Sequence, residues 1–158
     1  MQELSGALAL ADRDQRLNLE NIMFEPALIR DGDLSWEPYP ALEGTFRIKR
    51  TISRGRQGSE LGMGVCELQP GQSTVWWSFI DDDPDQRVSM AFGSSAHEAY
   101  FVLKGQFTFH WQDGDGNEQH GEAGPGDSFY FAPGWRYLVE NTGGSVAQFL
   151  WTMTPSAD

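Results

Sequence analysis

One carboxylate set among aromatic residues is the strongest candidate for chemistry in this chain. Glu98 opens the stretch Glu98-Ala99-Tyr100-Phe101-Val102-Leu103. In a strand, alternate side chains share a face, which groups Glu98, Tyr100 and Val102. Other chemistry-bearing residues are sparse. The three histidines, His97, His110 and His120, are scattered, whereas a metal needs ligands that converge. His97 precedes Glu98 and faces the opposite side if the strand has already begun there. His110 shares a face with Thr108 and Gln106, opposite Phe107, Phe109 and Trp111, and His120 follows a hairpin and reads as exposed. Cys66 lies in an apolar run with no base spaced to activate it, so it reads as a buried, inert thiol. Asp81-Asp82-Asp83-Pro84-Asp85 lacks the alternating ligands, central Gly and closing Glu of a calcium loop and reads as a solvated turn. Arg47, Lys49 and Arg50 form a basic cluster. Arg suits recognition of a substrate carboxylate, but pairing with surface carboxylates is the simpler reading. No Gly-x-Ser-x-Gly elbow occurs, and no helix or Lys-Ser/Thr follows the turn Gly124-Pro125-Gly126 to make a phosphate loop.

The elements that must position these groups are short strands. Apolar and polar residues alternate over 45–53, and further strands are expected over 61–68, 73–80, 99–103, 106–112, 128–132, 136–140 and 147–153, with 88–92 a strand or part of a lid. Pro70-Gly71, Asp113 to Asn117, Gly124 to Asp127, Pro133-Gly134 and Asn141 to Gly144 supply the turns. The 158 residues fit one domain, and 18 Gly with 13% aromatic residues favour an all-β fold. Residues 1–44 read as an N-terminal arm, with a short helix over 9–19 and an extended run containing Pro26, Pro38 and Pro40. Trp36, Tyr39 and Leu42 would dock it on a sheet or a partner subunit. A net charge of −12 disfavours nucleic acid and anionic membranes, although a local Arg can still hold a small anion. A single cysteine and an N-terminus unlike a signal peptide make the cytoplasm the expected compartment.

Two stretches resemble the cupin family. Glu98-Ala99-Tyr100-Phe101-Val102-Leu103-Lys104-Gly105 is similar to the first cupin motif, with Pro70-Gly71 in place of the turn that precedes it. Residues 126–141, from Gly126-Asp127 through Pro133-Gly134 to Asn141, resemble the second. The resemblance covers roughly residues 60–154. It implies a double-stranded β-helix, a jelly-roll-like barrel over 45–158, with Glu98, Tyr100 and Tyr137 pointing inward. Cupins usually hold a divalent metal through a His-x-His pair, the Glu of motif one and a His in motif two. The His-x-His positions fall on Trp77 and Phe79, or on Phe92 and Ser94, and the motif-two His is Tyr137. Of the usual ligands only Glu98 remains.

That substitution implies a carboxyl group among rings, with a pKa raised towards neutrality by desolvation. The leading expectation is a small-molecule enzyme without the standard metal site and without a cofactor. It would carry out acid–base isomerisation, cyclisation or lyase-type chemistry on an aromatic or apolar carbonyl compound. Glu98 would shuttle a proton, Tyr137 would polarise an oxygen, and Trp77, Phe79, Tyr100 and Trp135 would hold the ring, with Arg136 beside the barrel mouth. One alternative is a non-catalytic, small-molecule-binding cupin, and Glu98 would then serve only as a structural bond to Tyr137. The other is a metal-dependent dioxygenase or lyase using a divalent metal on His97, Glu98, His110 and Tyr137. A homodimer, through sheet faces or the arm, is expected for all three.

Overall fold

The computed structural model describes residues 26–38, 46–78, 96–112 and 115–156. The helix expected over 9–19, Tyr39, Leu42, Phe79, the acidic loop and the segment 88–92 lie outside the described residues. Among the described residues, ten strands make two antiparallel sheets. They are β1 (Glu37–Pro38), β2 (Phe46–Ile52), β3 (Gly62–Leu68), β4 (Trp77–Ser78), β5 (His97–Lys104), β6 (Phe107–Gln112), β7 (Glu118–Ala123), β8 (Ser128–Phe131), β9 (Arg136–Asn141) and β10 (Ala147–Thr154). One sheet runs β1-β2-β3-β10-β5-β8, and the other β4-β9-β6-β7. No helix among the described residues is long and apolar enough to cross a membrane.

Period-two patterning decides what lies between the sheets. Phe46 and Ile48 of β2, Cys66 and Leu68 of β3, Tyr100 and Val102 of β5, Phe107 and Phe109 of β6, Tyr137 and Val139 of β9 and Phe149, Trp151 and Met153 of β10 are buried. Residues opposite each other in an antiparallel pair share a face. Register therefore builds rows across the inner surface. Ile48, Cys66, Phe149 and Val102 make one row, and Arg50, Gly64, Trp151 and Tyr100 make the next. The arm touches this sheet through β1, and Arg47 and Lys49 lie 4.7 and 5.0 Å from the centre of the Trp36 ring.

Asn141 ties the two sheets at their far end. Its buried amide donates to the Leu68 carbonyl (3.0 Å) and the Ser145 carbonyl (2.8 Å), and its oxygen accepts from Gly143 N–H (3.0 Å).

Two departures from the sequence reading have local causes. Among residues 73–78, the described part of the segment expected over 73–80, only Trp77–Ser78 is a strand, and Ser73 makes a lone bridge to Glu140. Thr74 interrupts the ladder because its hydroxyl, rather than a backbone carbonyl, accepts the Val139 N–H (3.0 Å). A helical turn, α1 (Arg54–Gln57), was not expected. Ser53 caps it by accepting Arg56 N–H, the Gln57 side chain accepts Ser53 N–H, and Gly58 ends it in the left-handed region at φ 68°.

Gly64 permits a close approach between strands and the Trp151 ring. A Cβ there would lie 2.5 Å from the Lys49 carbonyl oxygen and 2.8 Å from the Trp151 ring. Gly64→Ala is therefore expected to cost about 1–3 kcal/mol by overpacking, lowering Tm by several degrees. Gly32→Ala, where a Cβ meets nothing within 4 Å, should leave Tm nearly unchanged. Equal melting of the two variants by circular dichroism would refute this packing.

Candidate active site

Glu98 comes from β5 and Tyr137 from β9, so they belong to different sheets. Glu98 sits opposite Phe131 of β8 and Met153 of β10, which fixes its carboxyl on the inner face. It is 6% exposed, Tyr100 2% and Tyr137 0%. The Tyr137 hydroxyl donates to Glu98 Oε2, and the Tyr100 hydroxyl donates to the Tyr137 oxygen at 3.2 Å. Phe131 stacks on Tyr137 with centroids 4.0 Å apart, and Trp77 meets Tyr137 edge-on at 5.7 Å. Phe109 and Phe149 lie 5.4 and 5.0 Å from Tyr100. Rings thus surround the carboxyl group and hold the two phenols.

Burial pushes the Glu98 pKa up from 4.5 to about 8, and hydrogen bonding from the phenol pair, Tyr100 included, opposes the shift less strongly. Among the described residues, no cation contributes. Glu67, also buried, goes the other way. Burial alone would raise its pKa, but the Gln148 amide (2.6 Å) and the Arg47 guanidinium (2.6 Å) outweigh that effect and hold it low. The difference between these two carboxyl groups is a partner: one keeps its charge beside a cation, and the other keeps its proton.

A cavity of about 50 Å³ opens beside Glu98. Glu98, Tyr100, Cys66, Trp77, Trp151 and Arg50 are among its walls. A water needs roughly 10–15 Å³ measured this way, so the space holds about three to five water-sized groups. Whole-ligand pockets run to about 300–1,000 Å³. As the described residues bound it, this space takes the reacting end of a small molecule.

The structure brings together Glu98, Tyr137, Tyr100 and Trp77, but assigns the two tyrosines different positions. Tyr100 reaches the cavity wall, and Tyr137 lies behind Glu98. Trp135 packs at the edge of the core, and Arg136 lies 5.5 Å from the centre of the Trp76 ring; neither reaches the cavity. Sequence reasoning placed Arg50 with the surface cluster, yet it lines the cavity. The signal was present: Arg50 shares the phase of Phe46 and Ile48. Cys66 is buried on the same wall, and its thiol is pushed well above its ordinary pKa, mainly by burial and next by Glu98.

The alternative metal ligands do not converge. His97 is exposed, and its Nδ1 lies 2.7 Å from the Tyr130 hydroxyl on the outer face. His110 sits between Glu118 (3.3 Å) and Glu140 (3.2 Å) on the outer face of the other sheet, because Phe107 and Phe109 take the inner positions of β6. His120 is exposed. Among the described residues, no group of three or more His, Cys, Asp or Glu is arranged to hold a metal ion. The donor set therefore does not fit the metal that the cupin motifs imply.

Folding retains the Glu98 proton, so this residue's contribution to stability has a defined sign. It is fully present below about pH 4.5 and declines as pH rises towards about 8, where the folded state also loses the proton. Glu98→Gln removes this dependence. Between pH 5 and 8 the unfolding free energy of the wild type should fall relative to the variant by up to about 1.4 kcal/mol per pH unit. Parallel stability–pH curves in urea titrations would show that Glu98 is not held protonated.

Comparison with known proteins agrees with this geometry. Residues 82–153 match the cupin domain family. The fold is similar to the CENP-C domain of Drosophila melanogaster (14% identity, 82% of this chain and 79% of that one, TM-score 0.61). It is also similar to a predicted oxalate decarboxylase from Thermotoga maritima (18%, 82% and 99%, TM-score 0.60) and to an oxalate decarboxylase from Lactobacillus farciminis in a formate complex (14%, 83% and 34%, TM-score 0.60). No curated protein matches the sequence. The two packed sheets, the motifs around Glu98 and Asn141 and the match over 82–153 together show that this chain carries a cupin domain and has the cupin fold.

Proposed function

We propose that the barrel catalyses proton transfer on a small carbonyl compound, with Glu98 as the proton shuttle. The observation that carries this reading is a buried carboxyl group, without a counterion among the described residues, that opens on a cavity and is braced by two phenols. At neutral pH most of the population holds Glu98 as the acid, and roughly a tenth holds it ionised. The ionised form takes a proton from the carbon beside the carbonyl, and the electron pair moves onto the oxygen as an enolate. The Tyr100 hydroxyl, on the cavity wall, turns its single proton from the Tyr137 oxygen to that oxygen. The acid form of Glu98 then returns the proton to carbon, at the same or a neighbouring position. Exchange, isomerisation and dehydration share this first step. Tyr137 acts through Glu98, as a positioning residue that fixes the carboxyl rotamer.

The reacting end of that compound is only a few atoms across. The fold itself does not choose among activities, since its neighbours include a decarboxylase and a CENP-C domain.

Deuterium uptake at the carbon beside the carbonyl, followed by NMR over a panel of small ketones and 2-oxo acids, tests the proposal. Wild-type protein should accelerate uptake for at least one compound, with a rate that rises with pH to a plateau above about 8. Glu98→Gln should lower that rate by about 10²–10⁴-fold. Tyr137→Phe should act by shifting the pH midpoint. Equal uptake with wild type and Glu98→Gln, or uptake insensitive to pH, would contradict the assignment.

A further inference from the structure

Arg50 differs from the other cations of its neighbourhood. Arg47, Lys49, Arg54 and Arg56 each have a carboxylate oxygen within 3.1 Å. The nearest carboxylate to Arg50 among the described residues is Glu37, 3.9 Å from Nε, and the other Glu37 oxygen is bonded to Arg56. Its side chain is only 21% exposed. In a chain with 23 acidic and 11 basic residues, a largely buried guanidinium whose nearest carboxylate among the described residues is 3.9 Å away is out of keeping with the composition.

Position explains why it stays there. Register puts Arg50 in the row Arg50, Gly64, Trp151, Tyr100. Gly64 has no side chain, so the Trp151 ring lies down over it, and the Arg50 guanidinium sits 6.0 Å from the centre of that ring. The contact holds the side chain at the cavity wall while leaving its N–H fork available. Arg50 is not the counterion of Glu98, whose environment is set by burial and Tyr100. The cavity thus offers a fixed cation on one part of its wall and a carboxyl–phenol pair on another, with apolar side chains between.

We infer that Arg50 is the specificity residue of this cavity and that it selects ligands carrying a carboxylate next to the reacting carbonyl, that is, small 2-oxo acids or their 2-hydroxy counterparts. Planar, bidentate pairing with the guanidinium orients the carboxylate and places the adjacent carbonyl towards Tyr100 and Glu98. This inference rests on the cavity assigned above, but its test reads binding rather than turnover.

The probes are pyruvate and its neutral amide, pyruvamide, with affinity read from tryptophan fluorescence, since Trp77 and Trp151 line the cavity. Wild-type protein should bind pyruvate at least tenfold more tightly than pyruvamide. Arg50→Gln should weaken pyruvate about tenfold or more and leave pyruvamide within about twofold, and Arg50→Lys should recover part of the loss. Glu98→Gln should still bind pyruvate, so a failed proton-transfer assay combined with intact Arg50-dependent binding would separate the two claims. If Arg50→Gln does not fold, displacement of pyruvate from the unsubstituted protein by acetate but not by acetamide gives the same answer. Equal affinity for pyruvate and pyruvamide, or pyruvate binding unchanged in Arg50→Gln, would overturn the inference.

Discussion

A carboxyl group buried without a cation is costly, and the barrel is arranged around meeting that cost. Ionised, Glu98 would lose its hydration shell with only phenolic hydroxyls in return. The folded state instead retains the proton and gives the group a hydrogen-bonded chain through Tyr137 to Tyr100. This solution needs contributions from both sheets. Tyr137 stands on the four-stranded sheet and Glu98 on the six-stranded one, so the bond forms only when the two close on each other. The stacked Phe131 and the edge-on Trp77 flank that junction.

Glu67 shows what the same chain does when a charge is to be kept. It lies in β3, 6% exposed, with Arg47 and Gln148 supplying the donors. Two acids on one sheet therefore have opposite protonation states at neutral pH for local reasons. The protonated one opens on the inner cavity without a cation beside it among the described residues, whereas the ionised one, on the wall of a wider surface pocket, is paired with Arg47. That asymmetry is the physical basis for treating Glu98, and not Glu67, as the reacting group. Arg50 adds an electrostatic handle that the surrounding negative charge does not cancel, because its interactions are short-range and its side chain is largely sheltered.

Much of the barrel was legible in the sequence because strand periodicity and turn chemistry agree along it. The 45–53, 61–68, 106–112, 128–132, 136–140 and 147–153 segments were read within a residue or two of β2, β3, β6, β8, β9 and β10. The 99–103 segment was read short, since β5 starts at His97. Of the segment expected over 73–80, residues 77–78 form β4, and the described residues before them leave the ladder, because apolar content cannot reveal that a Thr74 hydroxyl will take a ladder hydrogen bond. Strand β7, Glu-Gln-His-Gly-Glu-Ala, has no apolar alternation to announce it and exists by pairing with β6.

The site was legible in part. Alternation grouped Glu98 with Tyr100, and the cupin motifs pointed Tyr137 inward, but one-dimensional spacing cannot tell which hydroxyl meets the cavity and which stands behind. Arg50 was misplaced because charge outweighed phase in the reading. Its alternation with Phe46 and Ile48 was the better guide, and only cross-strand register shows the gap that Gly64 leaves for the Trp151 ring beside it. Cavity size was not in the sequence at all, since it depends on how far the rings of opposite sheets interdigitate.

The account turns on the protonation state of one residue, and that can be read directly. With glutamate labelled at its side-chain carboxyl carbon, an NMR titration compared with Glu98→Gln assigns the Glu98 resonance. The account predicts a midpoint near 8, well separated from the other glutamates. A Glu98 midpoint near 4.5 would contradict it, and the proton shuttle in the barrel with it.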